Sequence, residues 1–435
     1  MNIKKITSNI VRFIPKDHFL RSVTVLAGGT ALGQGIVLVA SPVLTRLYTS
    51  RDFGILAVFS SIIGILSIIS TLRYEEAIPL PQGDADALNL CALSLGILLT
   101  IGVTTCAIIW ILGDPIVSLL NVSELKPYLW VVPFALVGMG LYQILNYWAV
   151  RKAAFGVISR TKVSQGFALV VVQILIGFIR KGPIGLVVGD LVGKVAGSGI
   201  LLSAFRGSSL VIKKTLSLKI MRNVASTYWK FPAFNLPNTT LNTVSQQIPN
   251  ILFASLFSPA IAGYYFLAIR VTSAPLSLIG RSVSQVFLQN AASRHSKGDE
   301  LISLVQQIHK RMFLIVIIPS IFLFIFSPFL FEFVFGNEWR AAGEYLRYLI
   351  PWLAAMFVVS PTTWIFSIVN KQETVLAFEV TLLLFRVLAI FAGARFSDDP
   401  VLAIALFGLV GFTANLFMWR LLLNACRTVK DTLIS

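Results

Sequence analysis

Six runs of about 20 predominantly apolar residues follow one another at 22–44, 54–72, 87–112, 128–149, 163–179 and 183–205, and six more at 231–257, 261–290, 313–335, 345–369, 374–395 and 401–424. A run of that length matches the hydrocarbon thickness of a bilayer, where every backbone polar group must be paired within the chain, so only helices or closed barrels survive. Barrel strands alternate apolar and polar residues; the stretch from Ile97 to Ile111 does not. The chain therefore reads as an all-α polytopic membrane protein of about twelve transmembrane helices. Composition agrees: 56% of residues are hydrophobic and 13% charged, against about 25% charged in soluble domains. The run at 231–257 is the most polar of the twelve.

The net charge is +17, and its distribution is topological. With the amino terminus in the cytosol, and Arg395 at the edge of the eleventh span counted outside, 23 Lys and Arg fall in inside segments, 7 in outside segments and 6 within spans. That bias places both termini in the cytosol, and the anionic inner leaflet is a sufficient partner for the charge, with no nucleic acid required. The first 21 residues are basic but lack an apolar core, so they read as a cytosolic segment rather than a cleaved signal. Cys91, Cys106 and Cys426 lie in or beside spans, without the spacing of a disulfide framework, a CxxC pair or a zinc site.

The chain also echoes itself. LTRLYTSRDFGILAV at 44–58 and FASLFSPAIAGYYFL at 253–267, offset by 209, align Leu47 with Leu256, Tyr48 with Phe257 and Gly54 with Gly263. In the first copy Thr49 and Asp52 form a capping box; in the second Ser258 caps and Pro259 opens the helix. A second pair, QGDADAL at 82–88 and KGDELISL at 297–304, is offset by 215. Corresponding turns at corresponding helices imply two six-helix lobes, 22–205 and 231–424, joined by a basic cytosolic connection at 206–230 and flanked by a basic segment at 1–21 and a tail at 425–435. Six spans return the chain to the same side, so the repeat is expected to be parallel, with a pseudo-twofold axis along the membrane normal and a central cavity open alternately to either side.

Asp190, Lys194, Arg270, Arg281, Arg347, Glu379, Arg386 and Arg420 are ionisable residues within the expected spans. A charge at mid-bilayer costs at least about 2.5–3.5 kcal/mol, so each needs a partner, water or an escape to the interface. Asp190 and Lys194, four apart, can pair directly, and Arg347 and Arg420, near span ends, are expected to snorkel. Arg270 and Arg281 share one face of the eighth span, as Glu379 and Arg386 do in the eleventh. The seventh span adds Asn235, Asn238, Asn242, Ser245 and Gln246 at near-helical spacing among Pro232, Pro237 and Pro249. Such a wall binds sugar hydroxyls, bonds helix to helix, or does both at once. Arginine forks suit phosphate oxygens, so Arg270, Arg281, Arg386, Lys194, Asn235, Asn238, Asn242 and Gln246 are the candidates for a substrate cavity. The deep carboxylates Asp190 and Glu379 are the candidates for coupling to protons or sodium. The chain carries no Walker A run, metal constellation or nucleophile–base pair, and His18, His295 and His309 fall in expected loops. Carriage is favoured over catalysis, with no cofactor.

PVLTRLYTSRDFGILAVFSSI at 42–62, followed by TLRYEEAIPLP at 71–81, resembles the first hairpin and cytosolic loop of bacterial polysaccharide-repeat flippases of the Wzx type. Their superfamily also holds the lipid II flippases and the multidrug and toxin exporters; RYEEAIPLP is the stretch that sets the polysaccharide branch apart. The resemblance implies twelve to fourteen helices in two lobes and movement of an undecaprenyl diphosphate-linked oligosaccharide between leaflets of the inner membrane. That movement serves O-antigen, lipopolysaccharide or exopolysaccharide assembly, with a polymerase or initiating glycosyltransferase as expected partner. It also implies a cationic lumen, assigned to Arg270, Arg281 and Arg386 by position. Two other readings stay open. A drug/ion antiporter of the same architecture would prefer cavity carboxylates, whereas the ionisable residues singled out within the spans here are six cations and two carboxylates. A membrane glycosyltransferase or polymerase would want a large loop with acidic residues; Glu75 and Glu76 are paired carboxylates, but on a short turn that reads as structural.

Overall fold

A computed structural model describes residues 18–205, 216–296, 300–369 and 371–434. The amino-terminal segment to residue 17, the first part of the basic connection (206–215) and the start of the KGDELISL turn (297–299) lie outside the described residues.

Thirteen helices of ten residues or more are found among the described residues: α1 His18–Leu47, α2 Ser50–Ile69, α3 Asp84–Leu120, α4 Val131–Arg151, α5 Phe155–Ile179, α6 Ile184–Val195, α7 Leu218–Thr227, α8 Leu236–Leu256, α9 Pro259–Ser296, α10 Ile302–Phe335, α11 Arg340–Val359, α12 Gln372–Phe396 and α13 Pro400–Ile434. Ten helical stretches among the described residues are long and apolar enough to cross a membrane, which makes this a multi-pass membrane protein. The two expected spans missing from that set are α8 and α9. Both are present as helices, and α8, 21 residues long, reaches about 31 Å, enough to cross hydrocarbon. Their amides, hydroxyls and, in α9, Arg270 and Arg281 hold their hydropathy down. The sixth expected span is not one helix. It breaks after α6 at Gly197, whose φ of 89° favours glycine and whose missing Cβ leaves room for Thr161.

The chain divides into two compact units. One comprises residues up to 44, 63–113 and 127–237; the other 45–62, 114–126 and 238–435. The second unit thus takes in two segments that the sequence assigns to the amino-terminal lobe, and its hydrogen bonds show what holds them. Glu338 Oε1 accepts from the Ser50 amide at 2.8 Å, capping α2 from a distant part of the chain, and Trp339 Nε1 donates to Thr45 O at 3.2 Å. Asn121 Nδ2 donates to Ser255 O at 3.2 Å.

The expected caps are in place. Thr49 N donates to Asp52 Oδ2 at 2.9 Å and Asp52 N to Thr49 Oγ1 at 3.3 Å; Ile261 N donates to Ser258 Oγ at 3.4 Å. The two echoed glycines meet. A Cβ on Gly54 would lie 1.7 Å from Pro259 O, and one on Gly263 would lie 1.9 Å from Ser50 O. Since 50 aligns with 259 and 54 with 263, the contact is reciprocal, as a local twofold relation between the starts of α2 and α9 requires. Small residues at a crossing let two helix backbones touch, which is the principal source of helix association where lipid is as apolar as the side chains.

Candidate functional site

In the second unit, α8 presents Asn238, Asn242 and Gln246 to the outside at four-residue spacing, and Gln246 Nε2 donates to Asn242 Oδ1 at 2.7 Å. Ser245 lies seven residues beyond Asn238, on the same side of the helix, but is 2% exposed. Arg386, reaching from α12 and 6% exposed, donates from Nη1 to Ser245 Oγ at 2.9 Å. Its guanidinium carbon lies 5.0 Å from the ring centre of Trp352 on α11 and 5.4 Å from that of Phe407 on α13. Tyr265 of α9 and Phe253 of α8 complete the aromatic wall, 6.0 and 6.2 Å from the Phe407 ring. A strip of accessible amides therefore runs into a buried cation held by five helices. Arg386 Nε and Trp352 Nε1, both N–H donors, are buried without a hydrogen-bond partner, an unusual state for groups whose desolvation is costly.

Glu379 lies two turns before Arg386 on α12, half-buried and close enough for its charge to act on the guanidinium. Arg270 on α9 is half-buried, with its guanidinium 5.7 Å from the ring of Phe266, and Arg281 is exposed on the same helix. The other candidates belong to the first unit. Lys194 Nζ and Asp190 Oδ2 form the expected ion pair at 2.6 Å, so a candidate for the cavity and a candidate for ion coupling neutralise each other. Asn235 donates to Glu76 Oε2 at 3.2 Å.

Two expectations are corrected. Arg347 does not snorkel: its Nε and Nη2 donate to Phe324 O and Ile325 O, each at 2.9 Å. Pro328 lacks the N–H that would pair Phe324 O along α10, and the arginine supplies the missing donor. His309 is not in a loop; it is buried in α10, its Nε2 2.7 Å from Thr362 Oγ1. His18 and His295 are helical too, His18 opening α1 and His295 in the last turn of α9. Arg420 is exposed on α13. The aromatic enclosure of Arg386 is what sequence reasoning missed: among 32 Phe and 8 Trp, nothing in their spacing marks Trp352 and Phe407.

Residues 43–344 match the family of polysaccharide biosynthesis proteins. The chain belongs to that family. No curated protein sequence matches. Among solved structures, an inward-facing multidrug resistance MATE family transporter of the MOP superfamily is 14% identical over 93% of this chain and 96% of its own, with a TM-score of 0.72. The lipid II flippase MurJ in an inward closed conformation is 12% identical over 93% and 89%, also at 0.72. A MOP superfamily transporter from Pyrococcus furiosus gives 14% identity over 94% and 96%, with a TM-score of 0.60. These likenesses show a transporter fold.

In this member of the polysaccharide biosynthesis family, the turn between α2 and α3 is built around buried charge. Leu72 and Arg73 both have left-handed backbones, at φ 49° and 63°, a strain that surrounding contacts must offset. Arg73 pairs with Glu75 at 3.6 Å and with Glu76, and Thr71 Oγ1 donates to Glu75. Arg151 of α4 donates to Ile78 O at 3.4 Å, Pro81 O at 2.5 Å and Asp84 Oδ1 at 3.0 Å, tying the turn to the bundle. Burial pushes the Glu75 carboxyl above the ordinary glutamate range, outweighing the Thr71 hydrogen bond and the Arg73 charge that pull it down. The folded protein therefore holds this proton more tightly than the unfolded chain. The contribution of Glu75 is fully present below the unfolded pKa of about 4.3 and is lost as pH rises through the folded value. Thermal unfolding followed from pH 4.5 to 7 is expected to show a stability loss in the wild type that Glu75→Gln flattens.

Proposed function

We propose that the protein moves an undecaprenyl diphosphate-linked oligosaccharide repeat unit from the cytosolic to the periplasmic leaflet of the bacterial inner membrane, by alternating access, for surface polysaccharide assembly. The observation that carries this reading is the amide strip of α8 ending on Arg386, in a member of a polysaccharide biosynthesis family with a transporter fold. Amides offer donors and acceptors to sugar hydroxyls, and a guanidinium with an unpartnered N–H offers a fork to phosphate. Burying a diphosphate in hydrocarbon is prohibitive, whereas a cationic polar path lowers that cost.

Arg270 and Arg281 are assigned to the same path, and Glu379 is the favoured coupling carboxylate, since Asp190 is engaged by Lys194. The twelve-span, two-lobe arrangement, cytosolic termini and association with a polymerase or initiating glycosyltransferase belong to the same proposal. The test is a deletion strain analysed by mass spectrometry for lipid-linked oligosaccharide, alongside its surface glycan. Intact repeat units accumulating on the inner leaflet with polymer lost outside is the expected result. A truncated precursor would place the protein in synthesis, and unchanged glycans with altered drug tolerance would favour an antiporter.

A further inference from the structure

A groove of about 600 Å³ lies in the second unit among α10, α11 and α13, on different residues from the amide strip. Its walls are Phe324, Ile325, Arg347, Tyr348, Pro351 and Phe412, with Ala405, Gly408 and Leu409 at the α13 side. Phe324, Ile325 and Leu409 are 50%, 53% and 56% exposed, so on transmembrane helices this face meets lipid. Arg347 is the single charged group in it. Two of its three guanidinium nitrogens are spent on backbone carbonyls, Phe324 O, which Pro328 leaves without its helix donor, and the neighbouring Ile325 O, and these fix the cation in place. Among the described residues no carboxylate lies within 4 Å of it; Glu344 and Glu332, the nearest acids along α11 and α10, pair with Arg340 instead.

With that exposed cluster of Arg340, Glu332 and Glu344 taken as the polar boundary, Arg347 lies three residues past Glu344 and seven past Arg340, about 4.5 to 10.5 Å further along the helix. A fixed guanidinium just inside that boundary, beside an apolar trough, has the layout of a lipid: charge at the phosphate level, chain below it. An unneutralised arginine facing hydrocarbon is costly, and an anion at the groove mouth removes that cost.

We propose that the groove holds one anionic phospholipid of the surrounding bilayer, its phosphate on Arg347 and an acyl chain against Phe324, Ile325, Leu409 and Phe412. The walls argue against a sugar-bearing occupant, because apart from Arg347 the Tyr348 hydroxyl is the only polar side-chain group lining them. A glycan there would leave its hydroxyls unpaired.

The test is native mass spectrometry of the purified full-length protein, titrated with phosphatidylglycerol or with phosphatidylcholine of the same chains. The wild type is expected to keep one phosphatidylglycerol about tenfold more tightly than phosphatidylcholine, or about 1.4 kcal/mol. Arg347→Gln should erase that preference. Ala405→Phe, which leaves the arginine intact and fills the trough, should remove the bound lipid, and it carries the test if Arg347→Gln fails to fold. Wild-type phosphatidylglycerol retention in either folded variant would overturn the proposal. So would equal retention of both lipids by the wild type, or displacement of phosphatidylglycerol by a polyisoprenyl diphosphate, which would make the groove a substrate-tail site.

Discussion

Arg386→Met is expected to reduce export by about 30-fold or more at matched protein abundance, the equivalent of losing about 2 kcal/mol or more from a buried charge contact, while the purified protein unfolds no lower than wild type. The two readouts separate because two jobs compete for the same side chain. As a buried cation stacked between Trp352 and Phe407 and bonded to Ser245, Arg386 costs the fold desolvation. Exchanging buried ionic groups for apolar ones of similar volume is often neutral or stabilising. Met fills the space, keeps contact with the rings through its sulfur and has nothing to offer a phosphate. Arg386→Lys keeps the charge but neither the planar stack nor the fork, and should fall between. The measurements are surface polysaccharide per unit of membrane protein and thermal unfolding in detergent. Full export by Arg386→Met would remove the residue from the substrate path, and loss of export together with loss of fold would make it a packing residue.

Gly263→Val is expected to remove most of the folded protein. Its Cβ would stand 1.9 Å from Ser50 O and 2.9 Å from the Gly54 amide nitrogen, and both are main chain, so relief requires α2 and α9 to separate. Overpacking of this kind costs about 1–3 kcal/mol and sometimes more; with no flexible side chain to give way, the upper end applies. Gly280→Val on the same helix, where a Cβ meets nothing within 4 Å, is the matched control. Fluorescence-detected size exclusion of the two variants decides it: equal monodisperse peaks would mean the crossing yields more easily than its geometry implies.

The parts of the fold legible in the sequence are those governed by local rules. Apolar run length located the ten helical stretches that are long and apolar enough to cross a membrane among the described residues, and the caps at Thr49–Asp52 and Ser258 were readable because a cap involves only three or four neighbouring residues. Spacing also placed Asn238, Asn242 and Gln246 together on one side of α8, and paired Lys194 with Asp190. What spacing does not carry is the partner. A helical face is an angle, and nothing local says which helix fills it. Arg347 and Pro328 sit on different helices, so a charge near a span end looked like a snorkelling residue when it was completing a broken hydrogen-bond ladder. Arg386 was singled out by its charge, whereas the rings that enclose it come from four other helices. Asn235 belonged to the α8 pattern by period but was taken by Glu76, because a π-helical turn at Phe231–Asn235 precedes the regular helix and shifts its register.

The reciprocal crossing of Gly54 and Gly263 also bears on how this chain can change over generations. Each glycine is opposed by peptide carbonyl rather than by a side chain, and carbonyls are the one surface that mutation cannot trim. A bulky replacement at either position therefore has no compensating substitution across the contact. Selection for recovered export from a Gly54→Val or Gly263→Val strain should return glycine at the mutated codon, while damage at a side-chain contact such as Gly140 against Leu98 remains open to second-site repair.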